Sequence, residues 1–467
     1  MSTRLASPMP VALSERGNAV LQPLGVLFLL AYLTFLQSRV LDFTVPQLHL
    51  PMMLLIGITG IALISGTLFA GLRTSMGRLL VLFVFLLGVS TLFSINRYES
   101  ASIVMGATRN LIMAFAITAL LVTVRDIRRS LQAVAWGTLM AGILGFIFQV
   151  TVEGERLGLA VGRFGDPNDY AMVLIMGLPL WLTVGSGVFR VILGLPAAAI
   201  IFVSFARTGS RGGLLAFAVL STVYFFTTSL IGKVRIVVLM VILAVGAVVM
   251  VPEGIQRRYF TIFSAADEDS INSADESQRT QGYINSSNSR KALLLASLAA
   301  TVSHPIFGVG PGNFPQYYWT QGFIEEKRNR QGMHTHNTYT QISSEAGIPA
   351  VLCLLSILFL CFRATWRAGQ DKRLPPDHPI RLCGRALWLS MLSWAAAAMF
   401  LSTAWTESIF VYVAVVASLM LVHRNTIAAL QSQVAVKEQP PVRGPLPRNA
   451  AVPAFPRKVR PLLRPIS

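Results

Sequence analysis

The densest group of chemically active side chains lies in the segment 332–349, which reads GMHTHNTYTQISSEAGIP and leads into an apolar run. A neutral imidazole beside a membrane surface can act as a general base. If the segment is helical, its 3.6-residue period places His336, Tyr339 and Thr340 on one face. The alternative is a polar loop that caps a helix, with its polar side chains bonded to backbone. The candidates for moving or orienting a proton are His334, His336, Asn337, Tyr339 and Glu345.

Arginines form the second group of candidates. Arg163 opens the sequence RFGDPN, Arg207 and Arg211 lie in RTGSRGG, and Arg290 opens an amphipathic stretch. The planar guanidinium matches phosphate oxygens and stays charged in any environment. Asn288 or Ser289 is a suitable N-cap for a helix starting at Arg290, whose exposed amides and dipole would add an anion site. The alternative is that these arginines anchor helix ends by reaching to lipid phosphates.

Three other arginines have different interpretations. We assign Arg39 and Arg97 to helix anchoring. Arg109 lies inside a predicted span, where a charge is costly, so it either faces the bundle or lies near the outer boundary. Its role stays open between assisting the site and holding a helix pair together.

The sequence predicts no metal site and no cofactor. His334 and His336 are the only close histidine pair, and the acidic cluster at 267–269 lacks the spacing of a calcium loop. No Asp-x-Asp pair lies on a structured outer loop. Any chemistry here is therefore expected to be independent of metal ions.

The composition indicates that these residues are positioned by membrane-spanning helices. The chain is 54% hydrophobic and 13% charged, with a mean hydropathy of +0.61, unlike a soluble domain. Apolar runs of suitable length predict an all-α polytopic protein with about twelve transmembrane helices. The predicted spans are 19–37, 49–71, 78–95, 102–123, 131–152, 169–186, 189–206, 212–231, 234–252, 348–364, 384–402 and 406–423.

The basic residues predict the orientation. If the N-terminus is cytoplasmic, most of the 39 lysines and arginines lie in the two tails and in the even-numbered loops, which are then cytoplasmic. The net charge of +18 is thereby assigned to membrane topology, and nucleic acid is excluded as a partner. The three cysteines lie in or beside apolar runs and are predicted to be reduced packing residues. We expect a cytoplasmic tail 1–18, an integral-membrane domain 19–423 and a disordered, basic, Pro-rich cytoplasmic tail 424–467.

One outer loop, 252–347, is unusually long and is therefore expected to be functional. Its acidic, Ser/Asn-rich part, 267–289, is predicted to be mobile. The amphipathic stretch from Arg290 predicts a short helix at the outer leaflet. Gly308, Gly310 and Gly312 then predict a flexible turn, without the strand and helix that flank a nucleotide-binding loop.

Two motifs carry a resemblance to a known family. His334-x-His-Asn-x-Tyr339 followed by Glu345-x-Gly, and the preceding PIFGVGPGNF at 305–314, resemble the signature of the O-antigen ligase and polymerase family of bacterial membrane glycosyltransferases. The similarity covers about residues 160–365 and is densest over 290–347.

The resemblance implies an enzyme of the bacterial inner membrane with its site facing the periplasm. It implies an undecaprenyl-diphosphate-linked glycan as donor, and a hydroxyl of lipid A core or another glycan as acceptor. His336 would be the base, with His334 as the alternative because this chain has two close histidines. Asn337 and Glu345 would orient it. Arg211 and Arg290 match arginines of the family that hold the donor, and the remaining substrate-binding candidates are Arg163, Arg207, Asn337 and Tyr339.

Three functions are compared on this basis. A ligase moves a finished glycan and is the preferred interpretation, while a polymerase extends O-antigen or exopolysaccharide repeat units. A polysaccharide transporter is disfavoured, because transporters concentrate polar groups at the membrane midplane and here they gather in outer loops. Partners are expected to be the two substrates, the bilayer and other polysaccharide-assembly membrane proteins.

Overall fold

The computed structural model describes residues 15–44, 46–148, 150–152, 156–159, 161–185, 187–260, 274–321 and 334–438. Within these ranges the chain is almost entirely helical, as predicted. The α-helices are α1 (Glu15–Ser38), α2 (Val40–Thr44), α3 (Leu50–Ile64), α4 (Ser75–Leu92), α5 (Arg97–Leu120), α6 (Val124–Phe148), α7 (Pro167–Gly177), α8 (Gly187–Arg207), α9 (Arg211–Thr227), α10 (Leu230–Met250), α11 (Glu253–Phe260), α12 (Ala274–Ser303), α13 (Phe314–Thr320), α14 (Thr338–Gln370), α15 (Pro379–Ala397) and α16 (Glu407–Glu438). A two-stranded antiparallel hairpin, β1 (Val150–Val152) and β2 (Arg156–Gly158), lies between α6 and α7.

Eight segments of the described chain are long and apolar enough to cross a membrane. They are Leu21–Ser38, Pro46–Ile64, Ser75–Leu92, Arg97–Leu120, Val124–Phe148, Leu230–Met250, Thr338–Gln370 and Glu407–Gln433, and two shorter apolar helices are Val191–Arg207 and Arg211–Thr227. A multi-pass membrane protein is thus confirmed, but a count of twelve spans is not. The predicted sixth span, for example, is the short α7 followed by the 3-10 helix Leu178–Thr183, where Pro179 cannot supply a backbone N–H donor.

The interior is built around α14, which packs against α4, α12 and α15. Close approach of α14 to α15 depends on small residues, since a Cβ added to Gly384 would lie 2.6 Å from the backbone nitrogen of Gly369. The three cysteines, Cys353, Cys361 and Cys383, are reduced and buried in these two helices, as predicted.

A sharp bend in α14 creates the docking place for the outer segments. Gly347 has φ 85° and ψ 171°, a conformation open to glycine alone, and Pro349 follows it. The bend leaves carbonyls of the preceding turn without helical partners. The backbone N–H of Val309 donates to the carbonyl of Ser344 (2.9 Å) and that of Gly310 to the carbonyl of Glu345 (2.8 Å). The glycine run is therefore bonded along α14, and the prediction of a flexible turn there is wrong.

The helix that carries Arg290 starts earlier than expected. It begins at Ala274, so Arg290 lies in its second half and neither Asn288 nor Ser289 is its N-cap. The prediction that Arg290 offers a helix N-terminus to an anion is wrong. The preceding residues contain Ala, Glu, Gln and Arg, which favour helix, so residues 274–289 are helical rather than mobile. Residues 261–273 lie outside the described part of the chain.

The chain separates into two units, Met1–His423 and Arg424–Ser467. In the second unit, residues 424–438 belong to α16, which corrects the prediction of disorder from residue 424. These residues include three alanines and two glutamines and contain no proline before Pro440. Residues 439–467, and residues 1–14 of the predicted N-terminal tail, lie outside the described part.

Candidate active site

The histidine-containing segment is fixed by the loop between α15 and α16. The backbone N–H of His336 donates to Ser402 Oγ (2.9 Å), and the N–H of Thr338 donates to the carbonyl of Ala398 (2.8 Å). Thr338 Oγ1 also donates to the carbonyl of Leu401 (2.7 Å). The position of the imidazole is therefore set by tertiary contacts rather than by its own helix.

His336 lies before the helix and not on it. Its φ is 48°, a left-handed conformation that is uncommon for residues other than glycine. Since α14 starts at Thr338, the conditional expectation that His336 shares a helical face with Tyr339 and Thr340 is wrong. An unusual backbone conformation of this kind is often found where a side chain must be aimed at a substrate.

Asn337 is the N-cap of α14. Its Oδ1 accepts from the backbone N–H groups of Tyr339 (3.0 Å) and Thr340 (3.1 Å). The capping contact that the sequence offered as an alternative is thus present at Asn337. The hydroxyl of Tyr339 donates to the carbonyl of Ala395 (2.8 Å), which ties α14 to α15. Both side chains form hydrogen bonds with other protein groups. These bonds support a role for Asn337 and Tyr339 in holding His336 in place more directly than a role in binding substrate.

Glu345 is buried at the bend of α14, with 1% of its surface exposed. Its carboxylate accepts from the backbone N–H of Gly312 (2.7 Å) and from Trp405 Nε1 (3.2 Å). These bonds join α14 to the glycine segment and to the loop before α16. The environment supports a positioning role and gives the carboxylate no open path to a substrate.

Electrostatics place Arg290, Asp166 and the two histidines in one neighbourhood. Burial and the nearby charge of Arg290 lower the pKa of His336 below its usual value, and Asp166 partly opposes this. His334, which is exposed, also lowers it. The His336 imidazole is therefore neutral at pH 7 and able to accept a proton.

Arg290 itself is half-buried beside a second arginine. Burial and the charge of Arg258 lower the pKa of Arg290, while Asp166 raises it. Arg258 extends from α11, and its Nε donates to the carbonyl of Gly209 (3.0 Å). The two guanidinium groups repel each other electrostatically, and an anion bound between them would offset this repulsion.

The turn before α9 joins the two arginine-containing motifs. Asn168 Oδ1 accepts from Ser210 Oγ (2.9 Å) and from Arg156 Nη2 (3.1 Å). Arg156 is only 5% exposed, and its Nε donates to the carbonyl of Thr208 (3.0 Å). Ser210 caps α9 through the N–H of Gly213. This network positions Arg211, the half-buried first residue of α9, next to Gly209, which Arg258 contacts.

For the other two predicted arginines, Arg207 and Arg163, the described part of the chain shows no contact with the site residues above. The guanidinium of Arg207 lies over the Phe146 ring, 5.7 Å from its centroid, so this side chain packs towards α6. Arg163 lies in the 3-10 turn Gly162–Gly165, and its side chain is outside the described part of the chain. Donor binding by either residue stays a prediction.

Sequence reasoning missed four residues of this neighbourhood: Arg156, Asp166, Asn168 and Arg258. Asp166 and Asn168 are part of the RFGDPN sequence singled out for its arginine. Asp166 caps α7 by accepting from the N–H of Asn168 (2.7 Å). The Asp-Pro-Asn order is a helix-start signal. This signal could have identified Asp166 and Asn168 as polar residues that are fixed by capping bonds.

The described residues contain no cluster of three or more histidine, cysteine, aspartate or glutamate side chains suited to a metal ion. The fold and site together define a multi-pass helical membrane protein with a neutral histidine and half-buried arginines in segments outside its spans. Residues 196–355, about a third of the chain, match the family model described as O-antigen ligase, which confirms the resemblance over this segment. No curated protein matches the chain.

The matched segment contains both candidate histidines together with Arg207, Arg211, Arg258, Arg290 and Glu345. The hairpin and the start of α7, which carry Arg156 and Asp166, lie before it. The family indicates a membrane glycosyltransferase of the O-antigen ligase or polymerase type.

Proposed function

We propose that this protein transfers a glycan from undecaprenyl diphosphate to an acceptor hydroxyl on lipid A core or another glycan. The transfer takes place at the periplasmic face of the bacterial inner membrane. The observation that carries the proposal is the proximity of a neutral His336 to Arg290, which itself lies near Arg258. A base and an anion-binding pair are the two requirements for displacing a diphosphate by a hydroxyl.

The transfer is a single displacement. His336 accepts the proton of the acceptor hydroxyl as that oxygen attacks the anomeric carbon. The bond between the anomeric carbon and the diphosphate oxygen breaks, and its electron pair leaves with undecaprenyl diphosphate. Arg290, Arg258 and Arg211 neutralise the departing diphosphate. The acceptor attacks from the side opposite the diphosphate, so the anomeric centre is inverted.

Asp166 is proposed as a positioning residue. Its carboxylate raises the pKa of both His336 and Arg290, so it favours the charged form of each. It therefore keeps the imidazole basic beside two arginines. His334 is the alternative base, since it is close enough to influence His336 and is more exposed.

The orientation follows from the basic residues of the sequence. With both termini in the cytoplasm, the segment 252–347 is periplasmic and presents Arg290 and His336 to substrates there. His336, Arg258 and Arg290 lie in segments outside the spans, which favours an enzyme over a transporter. A polymerase that joins repeat units would use the same chemistry and differ only in its acceptor.

Reconstitution tests the proposal directly. The purified chain in proteoliposomes, given an undecaprenyl-diphosphate-linked glycan and lipid A core, is expected to release undecaprenyl diphosphate and glycosylate the acceptor. Transfer should persist in chelator, because the predicted chemistry needs no metal ion. Mass spectrometry separates the two activities, since a ligase adds one glycan and a polymerase builds a ladder. Movement of intact donor across the bilayer without release of the diphosphate would contradict the proposal.

The pH profile of transfer tests the role of His336. Because its pKa is lowered, the acid limb of the activity profile should lie below the midpoint of about 6.5 that is expected for an ordinary imidazole. Asp166→Asn removes a charge that stabilises the imidazolium, so the acid limb should move to still lower pH. The measurement is the initial rate from pH 5 to 8 for both proteins. A shift to higher pH in Asp166→Asn would contradict this electrostatic assignment.

A further inference from the structure

A second polar cavity lies in the bundle among residues that the proposed transfer does not use. We call it the polar chamber; it has a volume of about 210 Å³, and its polar lining includes Tyr32, Arg39, Asp42, His49, Arg109 and Glu407. These residues come from the end of α1, α2, the start of α3, α5 and the start of α16. The chamber therefore lies where α1, α2, α3 and α16 begin or end, and it is also lined by Arg109, which lies inside the apolar span of α5.

The two arginines and the two carboxylates of the chamber balance in charge, but they are not paired one to one. Arg39 forms ion pairs with Glu407 and, at 3.5 Å, with Asp42. This corrects the interpretation of Arg39 as a lipid anchor, since its charge is directed to two carboxylates. Arg109 is exposed, and within the described chain no carboxylate lies within ion-pair distance of it. One arginine thus holds two carboxylates while the other is available to an anion.

An apolar groove continues from the chamber between α3 and α5. It has a volume of about 580 Å³ and shares Met52, Leu55 and Arg109 with the chamber. It extends along α3 to Leu63, about 16 Å at the rise of an α-helix. Ile56 and Leu63 in its wall are 61% and 60% exposed, so the groove opens to the membrane.

We propose that the polar chamber and this groove bind one phospholipid with a zwitterionic headgroup. The phosphate lies at Arg109, the ammonium at Glu407 and Asp42, and an acyl chain in the groove. Arginine inside an apolar span is costly unless it is paired, and phosphate oxygens match its donors. Two cations and two carboxylates make the chamber neutral overall, so a zwitterion complements it better than a headgroup with a net negative charge.

The lipid site is separate from the candidate active site but connected to it. Asn110 lines the chamber, and its Nδ2 donates to the carbonyl of Trp405 (3.3 Å). Trp405 in turn donates through Nε1 to Glu345 (3.2 Å). The chamber is thus linked to Glu345 through Asn110 and Trp405, and lipid binding does not depend on the proposed transfer reaction.

Native mass spectrometry of the full-length protein with added phosphatidylethanolamine tests this site. Wild type is expected to retain one lipid under conditions that strip the others. Arg109→Gln should lower retention by about tenfold or more, the scale of one hydrogen-bonded charge, and Arg109→Lys should recover part of it. Gly60→Phe should also lower retention, because a Cβ at Gly60 meets nothing within 4 Å and the ring would occupy the groove.

Matched controls keep the test independent of folding. Gly88→Phe places the same ring at an equally open glycine of α4 that does not line the groove, and it should retain the lipid. Diacylglycerol, which lacks phosphate, should not be retained, phosphatidylglycerol should be retained less, and inorganic phosphate should not displace the lipid. Equal retention by wild type, Arg109→Gln and Gly60→Phe would overturn the proposal. Equal retention of diacylglycerol or phosphatidylglycerol would overturn the headgroup assignment.

Discussion

Replacing His336 with alanine is expected to slow glycan transfer by about a hundredfold or more, the usual scale for loss of acid–base help. Donor binding and the amount of folded protein should change little. The contacts that fix this segment use the backbone N–H of His336 and the side chain of Thr338, and both survive the substitution. The measurement is the initial transfer rate at saturating donor, with donor affinity determined separately.

The left-handed backbone of His336 calls for a second variant. Because alanine adopts φ 48° less readily than asparagine does, rates are compared per folded molecule. His336→Asn is the second variant, because asparagine tolerates the left-handed conformation but cannot accept a proton at neutral pH. Both variants should lose activity to a similar extent.

Two other histidines serve as comparisons. His334→Ala should be milder than His336→Ala. His304→Ala removes an exposed imidazole of a different segment, bonded to Ser303 Oγ at 3.0 Å, and should leave the rate unchanged. If His334→Ala is the more severe variant, His334 is the base. If both variants at 334 and 336 keep full activity per folded molecule, the segment only positions α14 and the proposed mechanism is wrong.

Replacing Arg290 with alanine is expected to weaken donor binding and slow transfer together. The diphosphate is charged before the reaction and gains charge at the leaving oxygen, so the guanidinium acts in both states. The loss of a hydrogen-bonded charge corresponds to roughly ten- to a hundredfold in affinity, with a further decrease in rate. Arg290→Lys should recover only part of this, since an ammonium cannot form the bidentate contact.

Lys291 provides the matched control for Arg290. It is the next residue of α12 and is exposed, whereas Arg290 is half-buried. Lys291→Ala removes the same formal charge from the same helix and should change donor affinity by less than about twofold, because exposed charges are screened. Equal effects of the two alanine variants would show that only the general positive field matters, which contradicts a specific diphosphate contact.

The loss of transfer activity in Arg290→Ala should not be accompanied by a loss of thermal stability. Burial and the charge of Arg258 disfavour the charged form of Arg290 in the folded protein. Removing the guanidinium therefore relieves a repulsion, and thermal unfolding of Arg290→Ala is expected to occur at the wild-type temperature or slightly above it. This behaviour is typical of residues kept for binding rather than for folding.

The sequence by itself determined the membrane class, most helix positions and the segment of interest. In a bilayer, an apolar run of about twenty residues can pair all of its backbone hydrogen-bonding groups only as a helix. The helices α1, α4, α5, α6 and α10 therefore follow from composition alone. The motifs around His336 also indicated the family, which the match over 196–355 confirms. Asn337 as the start of α14 follows from local chemistry, since its side chain bonds to the next backbone amides.

The tertiary structure alone decided how these parts meet. Where α12 begins could not be read locally, because polar residues that favour a cap are also accepted inside a helix stabilised by its neighbours. Burial of Glu345 depends on Gly312 and Trp405, which are remote in sequence. The convergence of Asp166 and Arg290 on His336, and of Arg258 on Arg290, likewise joins four separate segments. No local pattern encodes such distances, since they result from packing the whole bundle around α14.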